Sequence, residues 1–175
     1  VLAAGTVNTA RIVLRSLGLF DQSIPFVGKP HVFSALLHPA TLGRAGPKER
    51  LSLCQAVLTD ETLLASGLHA GCTQLYGYRS LLLFRLLDSI PLPKPQALTL
   101  LSLLAPSLLV ADIRFPGLTH AGNTLTLRKG SPLDSVHINM HVPDDERADR
   151  KQSLKRMHRA MRILGLLPLR TMWLT

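Results

Sequence analysis

Apolar positions at Val7, Ala10, Ile12, Val13, Leu14 and Leu17 predict a helix over Thr6 to Leu19. Arg11 and Arg15 fall four apart on its other side, and Gly18 is a natural stop. Residues 20–50 are punctuated by Pro25, Gly28, Pro30, Pro39, Gly43, Gly46 and Pro47, which predicts a long surface excursion. Residues 51–76 mix strand and helix periodicities and are left unassigned. Ser80 to Ile90 predicts a short helix, ended by an extended polyproline segment at Pro91-Leu92-Pro93-Lys94-Pro95. From Pro95 to Ala111 the pattern predicts a buried helix followed by a strand.

Period-two alternation then takes over. Leu109, Ala111, Ile113 and Phe115 share one strand face, and Leu125 and Leu127 oppose Thr124, Thr126 and Arg128. After the turn Lys129-Gly130-Ser131-Pro132, a strand over Val136 to Val142 would turn Val136, Ile138, Met140 and Val142 inward. His137, Asn139 and His141 would then face out. Pro143-Asp144-Asp145-Glu146 opens a last helix whose acids precede its bases, as the helix dipole favours. Leu154, Met157, Met161 and Leu164 would lay one stripe of it on a sheet, and Gly165 and Pro168 would end it. The fold class expected is α+β, with a mainly antiparallel sheet backed by helices.

Composition narrows the function classes. At 175 residues and 46% hydrophobic, the chain is too apolar for a disordered tail. Its formal charge of +9 is uneven: residues 150–175 hold seven bases and no acid, leaving 13 bases and 11 acids, or +2, for residues 1–149. That is one basic segment and not a basic surface, so no nucleic-acid partner is expected. No uninterrupted run of about 18 apolar residues exists, so no membrane span is expected. Apolar first and last residues, with no initiator methionine or signal sequence, suggest an internal fragment.

Candidate chemistry is sparse. Cys54 and Cys72 lack paired-ligand spacing and are expected to be buried thiols. His137 and His141 on one strand would lie about 13 Å apart, too far for one metal ion, so no metal site is expected. His137, Asn139 and His141 instead form a row that could face a substrate, the alternative being a solvated sheet face. The glycines form no G-x-G-x-x-G and no phosphate-binding G-x-x-x-x-G-K.

One stretch is more specific. Residues 2–18, LAAGTVNTARIVLRSLG, resemble the second signature of the glucose–methanol–choline (GMC) family of FAD-dependent oxidoreductases. There a strand ends in A-A-G-A and is followed by a helix of the form I-N-S/T-P-x-L-L-x-x-S-G. Ala3-Ala4-Gly5-Thr6-Val7-Asn8-Thr9 follow it, as do Ile12, Val13 and Ser16. Ala10 departs from the family's frequent Pro, and Leu17-Gly18 stands where the family has Gly and then an apolar residue. Phe115-Pro116 and Asn123-Thr124-Leu125-Thr126-Leu127 are similar to a later family strand.

The resemblance implies an FAD-domain fragment at 1–20, the end of a Rossmann-like strand with its helix, and a substrate-domain portion at 21–175. It implies FAD as cofactor, with Ala4, Gly5 and Thr6 on the cofactor side, and a small-molecule alcohol as substrate. The partner of this piece would be the remainder of its own chain. The dinucleotide fingerprint would precede Val1 and the catalytic histidine would follow Thr175, so no catalytic role passes to any of the seven histidines. An alternative, from the charge distribution, is a self-contained basic module whose 150–170 helix binds an acidic partner or nucleic acid.

Overall fold

A computed structural model describes residues 3–44, 54–64, 69–77, 87, 90–117 and 120–173. The protein is α+β, with antiparallel sheets backed by helices. It divides into two compact units. One comprises residues 1–28 and 117–143, the other residues 29–116 and 144–175. In the first of these, a late hairpin joins the first helix.

In the first unit, α1 (Thr6–Ser16) packs on a three-stranded antiparallel sheet of β1 (Ser23–Pro25), β6 (Thr124–Arg128) and β7 (Ser135–Asn139). Gly18, at φ 67°, ends α1 as its pattern predicts. Leu14, Leu125 and Leu127 are buried together, with Ala10, Phe20, Ile24 and Val136 around them. The apolar face of α1 is wider than this small sheet can cover, so Leu17 is 65% exposed. Strand β7 stops at Asn139, short of the expected Val142, and Ile138 and Met140 are exposed. The predicted strand before Gly5 is not seen, since Ala3, Ala4 and Gly5 are irregular and Val1 and Leu2 lie outside the described residues.

The second unit is built on a five-stranded antiparallel sheet in the order β3 (Cys54–Leu63), β4 (His69–Tyr76), β5 (Leu108–Arg114), β2 (His31–Leu37), β8 (Leu167–Trp173). The expectation of a surface excursion over 20–50 is wrong at its centre. His31–Leu37 is a strand between two neighbours, with its five inner residues buried. The flanking prolines and glycines punctuate that strand; they do not replace it. Pro168 lies on β8, which among the described residues has a strand neighbour on one side only, where a missing N–H is tolerated.

Each sheet face has its own helix. On one face, α3 (Asp144–Ile163) places Met157 and Met161 against Val32, Leu36, Leu75, Ala111, Ile113 and Phe115. Leu154 packs at the margin, but Leu164 is past the helix end and exposed. On the other face, α2 (Lys94–Leu104) sets Leu101 and Leu104 against Phe33, Ala35, Leu108 and Val110. Helix α2 begins inside the segment expected to be polyproline, because Pro95 is well suited to a first helical turn. It is less buried than expected: Leu98, Leu100 and Leu103 are exposed. The predicted helix at Ser80 to Ile90 falls mostly outside the described residues.

Candidate functional site

The residues expected on the cofactor side come together at the entry to α1. Gly5 has φ 79° and ψ 161°, a conformation essentially confined to glycine, and a Cβ there would meet nothing within 4 Å. Its carbonyl accepts the Thr9 N–H at 2.8 Å, while no side chain caps the helix start. The remaining first-turn N–H groups lack intrahelical partners, and Ala4, Gly5 and Thr6 are all exposed. No acid occupies the first turn of α1.

Ala4 also lines a cleft of about 420 Å³ that runs along α1 past Asn8, Arg11, Ile12, Arg15 and Ser16. Arg15 donates through Nε to Asp134 Oδ2 at 2.6 Å, and Arg11 Nη2 donates to the Asp134 carbonyl at 3.0 Å. Burial alone would raise the Asp134 carboxyl, but the Gly130 N–H and the two guanidinium groups hold it below the usual carboxylate range. The Nε of Arg11 is buried without a hydrogen-bond partner. The positive end of the helix dipole thus opens at one end of the cleft, while Arg15, in the last turn, lies at the other and is paired with Asp134.

The expected substrate-facing row does not form as drawn. His137 and Asn139 lie on the outer face of the small sheet, beside Thr126 and Thr124 in register. His141 falls beyond the strand, and all three are exposed. His137 Nε2 contacts Ser135 Oγ at 3.2 Å, Asn139 Nδ2 donates to the Gly122 carbonyl, and the His141 backbone N–H donates to Asn123 Oδ1. These contacts fix the hairpin and its approach, and they describe a solvated face.

A polar cluster that sequence reasoning missed lies in the second unit, on the α2 face of the large sheet. Register sets Cys72, Arg114 and His31 in one row across β4, β5 and β2, with Gln74, Asp112 and Phe33 in the next. Tyr76 follows on β4. Asp112 is 3% exposed. Its Oδ1 lies 3.1 Å from His31 Nδ1, and its Oδ2 accepts Arg114 Nε at 2.8 Å and Nη2 at 2.7 Å. The hydrogen bond to Asp112 raises the Arg114 pKa. Tyr76 donates to Gln74 Oε1 at 2.7 Å. The only local sequence signal was the alternation in β5, where Asp112 and Arg114 interrupt an apolar face begun by Leu108 and Val110.

Cys54 and Cys72 are free thiols and half-buried, less buried than expected. Among the described residues, no group of three or more His, Cys, Asp or Glu gathers at metal-binding distance. No described helix is long and apolar enough to cross a membrane. No family model, curated protein or solved structure matches the chain.

Proposed function

We propose that this chain is an internal part of an FAD-dependent oxidoreductase of the GMC type, acting on the CH–OH group of a small-molecule alcohol. The observation that carries this is the turn at Ala4-Gly5-Thr6. It combines the family-like signature, a glycine-only backbone at Gly5 and an uncapped helix start at one end of a cleft along α1 that Arg11 also lines. The flavin, when bound, would accept the hydride from the alcohol. What this chain's residues contribute is the glycine turn and helix start for the cofactor and an antiparallel sheet for the rest of the protein to build on. The base that takes the alcohol proton is expected beyond Thr175, in the remainder of the chain.

The whole protein carrying this segment is expected to purify with bound flavin. Gly5→Val should lower flavin occupancy about tenfold, since a β-branched residue costs about 1–3 kcal/mol at that backbone conformation. The 175 residues alone should bind no FAD tightly. Near-stoichiometric flavin absorbance in the isolated chain, or a whole protein without flavin, would overturn the assignment.

One observation favours the basic-module alternative. In α3, Arg147, Arg150 and Arg156 are paired with Asp144, Glu146 and Asp60, but Lys151, Lys155, Arg159 and Arg162 are exposed at i, i+4, i+8 and i+11. They form a stripe along one helix side, suited to an acidic partner or nucleic acid. On the flavoenzyme proposal this stripe is only solvated. Retention on immobilised polyanion at near-physiological salt, with a steep salt dependence lost in Lys155→Glu/Arg159→Glu, would favour the module instead.

A further inference from the structure

Among the described residues, the polar end of the α2 face in the large sheet differs from the two polar networks beneath α3. Asp60, Ser153 and Arg156 bind one another between α3 and the sheet, and Ser34, His158 and Thr171 do likewise. Those networks are occupied by tying helix to strand. Among the described residues, the Asp112 cluster hydrogen-bonds to no helix. A nearly buried carboxylate braces two side chains that are each about one-third exposed, His31 at 35% and Arg114 at 33%.

Its hydrogen-bonding capacity can be written out atom by atom. Asp112 uses two of the five Arg114 N–H groups, so three remain as donors. A neutral His31 that donates its Nδ1–H to Asp112 leaves Nε2 as an acceptor. Tyr76 donates to Gln74, which leaves the phenol oxygen as an acceptor and the Gln74 amide N–H groups as donors. Donors and acceptors thus alternate across three adjacent strands, each about 5 Å from the next. Asp112 has already neutralised the guanidinium, so a carboxylate ligand would share its one counter-charge with a buried acid. A hydroxyl, which both donates and accepts, matches the pattern without that conflict.

We infer that His31, Asp112 and Arg114, with Gln74 and Tyr76, form a recognition site for a neutral ligand bearing more than one hydroxyl group. The site lies wholly within the second unit, and it selects neutral polyols over hydroxy acids. Asp112 is a positioning residue: it fixes the Arg114 guanidinium plane and the His31 tautomer. Phe33, edge-on to the His31 ring at 5.3 Å, closes the side next to α2.

The test is equilibrium binding to the full chain, with sorbitol and lactate as the two probes, followed through the His31 ring resonances by NMR. Sorbitol is expected to shift them saturably, and lactate at equal concentration is expected not to. Arg114→Met should weaken sorbitol about tenfold, the loss of one or two hydrogen bonds from a charged donor. Because that variant strands Asp112, Tyr76→Phe is the companion: it keeps the carboxylate paired and should weaken sorbitol several-fold with an unchanged unfolding midpoint. Absence of a sorbitol shift, or equal displacement by lactate, would overturn the site. Flavin occupancy of the whole protein is read separately, so failure of the cofactor assignment is distinguishable from failure of this one.

Discussion

Asp60→Ala is expected to lower the unfolding free energy of the large-sheet unit by about 3 kcal/mol, at the lower end of the range for breaking a buried ion pair. The Asp60 carboxylate is nearly buried and accepts from Ser153 Oγ at 2.9 Å, Arg156 Nε at 2.8 Å and the Thr62 backbone N–H at 3.2 Å. It is the polar pin between β3 and α3. Removing it leaves the guanidinium without its acceptor and the Ser153 hydroxyl with only the longer contact to the Ala70 carbonyl, at 3.3 Å. Arg156 is about one-third exposed, so water recovers part of the loss, and that sets the estimate low. In urea unfolding, Asp60→Ala/Arg156→Met should lose less than the two single variants summed. A loss below about 1 kcal/mol for Asp60→Ala would mean the pair behaves as a surface contact.

The same pin sets a pH dependence. Burial pushes the Asp60 carboxyl up, but the hydrogen bonds from Thr62, Ser153 and Arg156 outweigh it and hold the pKa below its ordinary 3.8. A depressed folded-state value means the unfolded chain binds the proton first. The stabilisation is therefore complete above that ordinary value and is lost as pH falls through the folded one. His158 acts earlier: burial, and then Arg162, lower its pKa below 6.5. Its contribution is whole above that value and declines as pH falls through the folded pKa. Acid unfolding should thus begin with His158 and end with Asp60. In Asp60→Asn, only the later loss should disappear.

Helices and alternating strands were legible in the sequence because their periodicity is local. The face shared by Leu109, Ala111, Ile113 and Phe115 is the one α3 covers, and Met157 and Met161 are the knobs that cover it. What local pattern cannot carry is pairing. Leu108–Arg114 and Thr124–Arg128 alternate alike, yet they belong to different sheets. HVFSALL in β2 has no alternation, because α2 and α3 bury it from both faces, and prolines and glycines around it read as loop. The Asp112 cluster was illegible for the same reason. His31 and Arg114 are 83 positions apart, and only the β2–β5 register makes them neighbours. Nor does periodicity report the backbone at Gly5, whose φ and ψ glycine alone adopts readily.

The core under α3 gives the second large effect. Met161 is fully buried, in one cluster with Val32, Leu36, Ile113 and Met157, and Met161→Ala should cost about 2–5 kcal/mol, transfer and cavity terms together. Ile163, two residues on, is 78% exposed, and Ile163→Ala should change stability by no more than about 0.5 kcal/mol. The two variants differ in helix propensity by only a few tenths of a kcal/mol, so nearly all of the difference reports burial. Because the first unit has its own core at Leu14, Leu125 and Leu127, the loss must be read with a probe in the second unit. The chain's single tryptophan, Trp173, belongs to β8 of that unit and serves for fluorescence. Equal losses for Met161→Ala and Ile163→Ala would mean that α3 does not rest on the sheet through the Met157 and Met161 stripe. The Asp60 pin would then be the main tie between helix and sheet, and its variant should unfold the unit outright.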